Sequence, residues 1–150
     1  MIEDFRLTIR SDPRLLAAVR CLVRAWVERN GFDANEAGRI VLAIDEACSN
    51  AIRHAYEGRC HESMELRLRS DPKALELILC DHGSPCAKDK SAPRKLETPT
   101  PDNLRPGGLG VQLIHEVFDE VDFRSGSPRG NCVTMRLQRR TPWRIDEPRD

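Results

Sequence analysis

The chain has 150 residues, a length typical of one domain with a buried core. Lysine plus arginine and aspartate plus glutamate each number 24, so the net charge is zero and the sequence lacks the basic excess typical of nucleic-acid-binding proteins. No stretch is long enough to span a membrane and the first residues carry no apolar signal-peptide core, so we expect a cytoplasmic protein.

The cysteines lie mostly within apolar stretches, which is typical of reduced thiols in a cytoplasmic protein. They are Cys21, Cys48, Cys60, Cys80, Cys86 and Cys132. A zinc site formed by Cys80, His82 and Cys86 with His61 is conceivable, but the spacing matches none of the usual pairs of zinc ligands. We therefore expect free thiols and no structural zinc.

The chain begins with a strand and a helix. Residues 2–10 alternate between polar and apolar side chains, which predicts a strand with one apolar face. Asp12 and Pro13 are typical of a helix N-terminus, and the apolar stripe that follows has helical spacing. Gly31 is expected to end this helix as a left-handed C-cap.

A second helix and a β-hairpin follow. Asp33 and Glu36 have the spacing of a capping box, which predicts a helix that runs to about Tyr56. Residues 62–70 and 74–81 alternate and are joined by an Asp-Pro turn, so they predict two paired strands.

The last third of the chain contains a long loop before its final elements. Residues 82–107 show no periodicity and hold five of the ten prolines, and a loop of this length is usually functional or disordered. After it come an apolar helical stripe and two strands at 119–125 and 131–138. The predicted order is β-α-α-β-β-loop-α-β-β, which favours an α/β fold (an α+β sandwich) with a mixed sheet and helices on one face.

The second helix carries polar groups on one face. Glu46 and Asn50 are one helical turn apart, and Arg53 or His54 follows on the same side. A solvated helix surface is the ordinary explanation of such a stripe. Asn is nevertheless a mediocre helix former, and a role as an oxygen ligand for Mg²⁺ would explain its presence. A carboxylate one turn away can orient or deprotonate an attacking hydroxyl.

Three further positions suit a nucleotide. Asp81 ends an apolar strand, where its carboxylate can accept from an exocyclic amine, and Gly83 would allow close backbone approach; an ordinary turn aspartate is the alternative. The glycines at 107–110 precede a helix and suit an anion, although a flexible hinge has the same composition. Thr134 lies in a strand, where it can hydrogen-bond a ligand or simply fill a sheet position.

Together these motifs resemble the GHKL ATPase superfamily, which has the Bergerat fold, and within it the anti-sigma factor serine kinases. The resemblance covers about residues 5–138. It rests on the segments IDEACSNAIRHAY, CDHGSP, PGGLGVQLIHEVFDEVDF and GNCVTMRL.

The resemblance implies a role for each matched residue. Glu46 would be the catalytic general base, and Asn50 would bind both nucleotide and Mg²⁺. The remaining residues expected to bind ATP (or ADP) are Arg53, Asp81, Gly83, Gly108, Leu109, Gly110, Val111 and Thr134. Residues 84–106 would form the ATP lid within an ATPase domain at 1–140, and residues 141–150 would form a flexible tail.

The resemblance also implies partners. The γ-phosphate would pass to a serine of a STAS-domain anti-anti-sigma protein, and the kinase would also bind a sigma factor. A homodimer is expected, without direct contact to nucleic acid or membrane.

Two residues depart from the family pattern of the first glycine box. Pro85 stands where a second glycine is usual, and Cys86 replaces an aromatic residue. These departures leave open a nucleotide-binding regulatory module that sequesters a partner without kinase turnover. A domain detached from a larger regulator is a further possibility.

Overall fold

The computed structural model of the protein describes residues 3–85 and 108–142. Within these ranges the strands are β1 (Glu3–Arg10), β2 (Ser63–Ser70), β3 (Ala74–Asp81), β4 (Glu120–Ser127) and β5 (Gly130–Gln138). The helices are α1 (Leu16–Arg29), α2 (Ala34–Asn50) and α3 (Gly108–Val117). A 3₁₀ turn (Pro13–Leu15) precedes α1, and a π-helical turn (Ala51–Ala55) follows α2. The order of elements is the predicted one.

The described strands form one sheet in the order β1-β2-β3-β5-β4. The α/β fold class is confirmed, but all four strand pairings are antiparallel, whereas we expected a mixed sheet. The reason lies in the strand order. β1 and β3 run in the same direction but are separated by β2, and β3 and β4 run in the same direction but are separated by β5. No two parallel strands are therefore neighbours.

Local capping signals define the helices. The side chain of Asp33 accepts from the backbone N–H of Glu36, and the Glu36 carboxylate accepts from the N–H of Asp33, which is the predicted capping box. Asp12 caps the 3₁₀ turn by accepting from Arg14 N. Gly31 follows α1 with a φ of 92°, as the left-handed cap requires.

The core lies between the helices and one face of the sheet. Met64, Leu66 and Leu68 alternate along β2 and are buried, as are Ile40 and Ile44 of α2. The intervening strand residues lie on the outer face, which is only partly buried. Helices therefore cover one face of the sheet, as the sequence predicts.

The prediction of free thiols is wrong for one pair of cysteines. Cys80 of β3 and Cys132 of β5 are cross-strand neighbours and form a disulfide, which also removes Cys80 from any zinc site. The two residues are 52 positions apart in sequence and meet only when β3 and β5 pair, so local patterns could not reveal the bond. Cys21, Cys48 and Cys60 are free, and Cys86 lies outside the described residues.

Candidate nucleotide site

Three polar side chains form a cluster at the C-terminal end of α2. Glu46 and Asn50 are one turn apart on the helix, and Arg53 follows in the π-helical turn. The Nη2 atom of Arg53 lies 3.7 Å from Glu46 Oε2 and donates a 3.3 Å hydrogen bond to Asn50 Oδ1. The structure thus brings together a carboxylate, a carboxamide and a cation.

The first turn of α3 packs directly against this cluster. A Cβ atom built at Gly110 would stand 2.3 Å from Glu46 Oε2 and 3.1 Å from its Cδ, so only glycine fits without moving the carboxylate. The first N–H groups of a helix have no acceptor within it, which makes those of Gly108 through Val111 suitable donors to an anion. Gly110 and Glu46, which lie 64 positions apart in the sequence (110 − 46), are therefore neighbours in the structure.

Asp81 lies at the end of β3 and is held by one partner on β5. Its Oδ1 atom accepts a 2.8 Å hydrogen bond from Asn131 Nδ2 and a 2.9 Å bond from Gly83 N. Both residues of the pair are buried, and both bonds within the described residues go to Oδ1. The other carboxylate oxygen, Oδ2, therefore remains able to accept from an amine of a ligand.

Asn131 uses its whole carboxamide. Besides Asp81, its Nδ2 donates to the carbonyl oxygens of Gly83 (3.1 Å) and Ser84 (3.2 Å), and its Oδ1 accepts from Gly126 N. This side chain consequently fixes both the aspartate and the turn that follows it. The sequence did offer a signal that we missed, since Asn131 alternates with Val133 on the buried face of β5.

Gly83 lies closer to the backbone of Ala55 than a residue with a side chain could. A Cβ atom there would lie 2.2 Å from the carbonyl oxygen of Ala55, and the next residue, Ser84, donates a 2.8 Å hydrogen bond to that same oxygen. The π-helical turn after Asn50 thus contacts the segment after Asp81. This contact links the metal-binding end of the predicted site to its adenine-binding end.

A tyrosine hydroxyl supports the same junction. Tyr56 is buried, donates to the carbonyl oxygen of Ser63, and accepts a 2.8 Å hydrogen bond from His82 N. Burial raises the pKa of the Tyr56 hydroxyl. Sequence reasoning did not single out this residue, because its hydrogen bonds depend on where β2 begins and where β3 ends.

Thr134 is not brought to the cluster. It lies on the outer face of β5, between buried Val133 and Met135, and faces Ile78 of β3. Asp81 and Asn131 lie on the inner, helix-covered face. The strand alternation therefore places Thr134 on the side of the sheet opposite to Asp81.

The predicted lid is described only at its start. Ser84 and Pro85 are exposed, and the remainder of the 84–106 segment, with Cys86, lies outside the described residues. Among the helices in the described ranges, none is both long and apolar enough to cross a bilayer.

A comparison with protein families shows that the family model of the histidine kinase-like ATPase domain matches residues 9–137, which is most of the chain. The chain belongs to this family. The curated relatives include the serine-protein kinases RsbW of Bacillus pumilus and Bacillus velezensis. The first is 28% identical over 143 residues, covering 92% of this chain and 88% of that protein; the second is 30% identical over 138 residues, covering 89% and 84%.

The fold of this histidine kinase-like ATPase also occurs in a solved structure. The crystal structure of the RsbU and RsbW domains of a Mycobacterium tuberculosis protein matches with a TM-score of 0.64 at 17% identity. The match covers 93% of this chain and 34% of the other, so the present chain spans about a third of that crystallised chain. An ATPase domain implies that the chain binds ATP.

Proposed function

We propose that the protein is a Mg-ATP-dependent serine kinase that phosphorylates a STAS-domain anti-anti-sigma partner and sequesters a sigma factor. The unphosphorylated partner competes with the sigma factor for binding to the kinase. The family of the chain and its similarity to RsbW serine-protein kinases support this proposal. The observation that carries it is the contact between Gly110 and the Glu46 carboxylate, because it joins a candidate general base to an anion-binding helix start. A cytoplasmic homodimer is part of the same proposal.

The transfer step requires positioning more than covalent chemistry. The serine oxygen forms a bond to the γ-phosphorus while the bond from that phosphorus to the β–γ bridging oxygen breaks, and ADP leaves. Glu46 orients the serine hydroxyl and accepts its proton. The first N–H groups of α3 and the guanidinium of Arg53 bind the phosphate oxygens, where negative charge accumulates.

The chain offers a fitting donor for a metal ion. A bound Mg²⁺ would supply charge neutralisation between the phosphates, and Asn50 Oδ1 is the oxygen that would ligate it. The hydrogen bond from Arg53 to this oxygen is long, at 3.3 Å, and the Arg53 side chain is 48% exposed, so it can move aside. At the other end of the site, Asp81 Oδ2 accepts from the adenine amine.

Phosphate transfer to a partner tests the proposal directly. The protein is incubated with γ-labelled ATP, Mg²⁺ and a recombinant STAS-domain protein from the same organism. Label is expected on a serine of the partner, and Glu46→Gln is expected to reduce the rate by at least about a hundredfold, as loss of a general base does. Glu57→Gln, an exposed carboxylate beyond the π-helical turn, is the matched control and keeps full activity.

Two outcomes would contradict parts of this proposal. Transfer that proceeds equally well in the Glu46→Gln variant would exclude Glu46 as the general base. Tight ATP binding without any transfer would instead support the regulatory module that the altered residues Pro85 and Cys86 left open.

A further inference from the structure

The disulfide of Cys80 and Cys132 lies on the outer face of the sheet, directly behind the candidate nucleotide site. The two Cα atoms are 4.1 Å apart, which is typical of a non-hydrogen-bonded cross-strand pair, where side chains approach most closely. Both side chains are only partly buried, so small oxidants and thiols can reach them. In the cytoplasm thiols are normally kept reduced, and a disulfide there is usually transient and regulatory.

The disulfide-bonded cysteines are the immediate neighbours of Asp81, the proposed adenine-binding residue, and of its partner Asn131. In the β3–β5 register, Cys80 faces Cys132 and the next rung joins Asp81 to Asn131. The 2.8 Å hydrogen bond across that next rung fixes the aspartate. A change in the spacing of the two strands at the cysteines is therefore transmitted to Asp81 within one residue.

Reduction changes that spacing. Two thiol sulfurs without a bond repel each other at covalent distance, so the side chains must separate by on the order of 1 Å or more. The hydrogen bonds from Asn131 to Asp81 and to the Gly83 and Ser84 carbonyl oxygens then lengthen or rearrange. The oxidised form holds the aspartate in place before a ligand arrives, whereas the reduced form must order it on binding.

We propose that Cys80 and Cys132 form a reversible thiol-modification site that sets the nucleotide affinity of the protein. Oxidation joins the two sulfurs and removes two electrons and two protons, which a peroxide takes up as it is reduced to two waters. A small dithiol reverses the bond: it attacks one sulfur, forms a mixed disulfide, and closes to its own cyclic disulfide while both cysteines leave as thiols. The inference rests on the proposed nucleotide-binding function.

Peptide mapping first establishes which cysteines pair. Trypsin leaves Cys80 and Cys86 on one peptide, residues 74–88, because no lysine or arginine separates them. Additional cleavage before Asp81 divides them, so a cross-link between residues 74–80 and 130–136 identifies the Cys80–Cys132 bond. The dithiol-reduced protein is reoxidised with hydrogen peroxide and mapped without reducing agent. Buried Cys48 is expected to stay unmodified, since burial raises the pKa of its thiol to about 12.

Nucleotide affinity is then measured by calorimetry with ATP and Mg²⁺ on the oxidised and reduced protein. We expect reduction to weaken binding about fivefold, the effect of losing about one well-placed hydrogen bond. The double variant Cys80→Ser/Cys132→Ser should bind like the reduced protein under both conditions. A second double variant, Cys80→Val/Cys132→Val, also lacks the bond and should bind ATP like the serine variant. Agreement between the two variants shows that the weaker binding is not caused by misfolding of one of them. Cys21→Ser/Cys60→Ser, which removes two exposed free thiols, should respond like the natural chain.

The affinity measurements and the peptide map together distinguish failure of the redox site from failure of the proposed function. An affinity that is unchanged or higher after reduction would overturn the inference, and so would peroxide treatment that leaves Cys80 and Cys132 unlinked. Absence of ATP binding in both redox states would overturn the proposed function itself and the inference with it. Binding in both states with equal affinity would leave the proposed function standing and refute only the redox site.

Discussion

Gly110 of α3 and Glu46 of α2 are in direct contact, and a Cβ atom at position 110 would stand 2.3 Å from the Glu46 carboxylate oxygen. The helix whose first N–H groups are proposed to bind phosphate therefore packs against the proposed general base. This contact leaves no room for a side chain at 110 unless the carboxylate moves. It joins two motifs that β2, β3 and the long loop separate in the sequence.

Replacing Gly110 with alanine should impair the site without unfolding the protein. The added methyl group displaces Glu46, so we expect ATP affinity to fall by about tenfold and phosphate transfer to fall further. Gly38→Ala is a matched control on α2, because a Cβ there meets only Arg24 Nη2 at 3.6 Å. That control should gain about 0.5–1 kcal/mol of stability and keep its ATP affinity. Equal ATP affinities of the two variants would contradict the proposed contact.

Asn50→Ala should weaken the Mg-dependent part of nucleotide binding. The variant removes the oxygen proposed to ligate the metal, so calorimetry with Mg²⁺ should show an ATP affinity about tenfold lower than the natural chain. Titrations with EDTA, which removes Mg²⁺, should give similar affinities for both. Ser49→Ala, on the adjoining residue of α2, is the control. An unchanged affinity with Mg²⁺ in the Asn50 variant would refute the metal position.

Asn131→Ala and Thr134→Val distinguish the two faces of β5. The first variant removes the hydrogen bonds that fix Asp81 and the turn after it, so we expect a loss of about 1–3 kcal/mol in stability and clearly weaker ATP binding. The second changes a residue on the outer face and should leave ATP affinity unaltered. Weakened binding in Thr134→Val with normal binding in Asn131→Ala would restore the role that the family resemblance implied for Thr134.

Features set by neighbours in sequence were predictable. The capping box of Asp33 and Glu36 needs only a spacing of three residues, and the shared face of Glu46 and Asn50 needs only helical periodicity. The alternation of β2 and β3 likewise identifies their buried faces. For these elements, local geometry and the tertiary structure agree.

Features set by long-range strand register were not predictable. The Cys80–Cys132 bond and the Asp81–Asn131 hydrogen bond occupy adjacent rungs between strands that lie about fifty residues apart in sequence. Nothing in either strand alone specifies which residues will face each other. The π-helical turn after Asn50 is also absent from the periodicity, and its last residue, Ala55, accepts a hydrogen bond from Ser84, which lies beyond β3.

Tyr56→Phe should loosen the junction between α2 and the end of β3. The hydroxyl that is lost donates to the Ser63 carbonyl oxygen and accepts from His82 N, and both groups would be left without this partner. We expect the free energy of unfolding to fall by about 1–2 kcal/mol in urea denaturation. His82→Ala is a useful comparison, since it keeps the backbone N–H and should have a smaller effect. A Tyr56→Phe variant as stable as the natural chain would contradict this structural role.

The single tyrosine of the chain also gives a pH signature. Burial raises the pKa of Tyr56 in the folded protein above its value of about 10 in unfolded chains. The folded state therefore binds the phenolic proton more tightly than the unfolded state does. Its contribution to stability is complete below the unfolded pKa and is lost as the pH rises through the folded pKa.

Tyrosinate absorbance can follow this ionisation without interference, because the two tryptophans do not ionise. The folded protein should titrate at higher pH than the same protein in denaturant, and its stability should decline over the interval between the two midpoints. The Tyr56→Phe variant, which has no tyrosine, is the blank and should lack this decline. A folded midpoint at or below that in denaturant would show that the hydroxyl is solvated, and it would contradict the hydrogen bonds that join Tyr56 to Ser63 and His82.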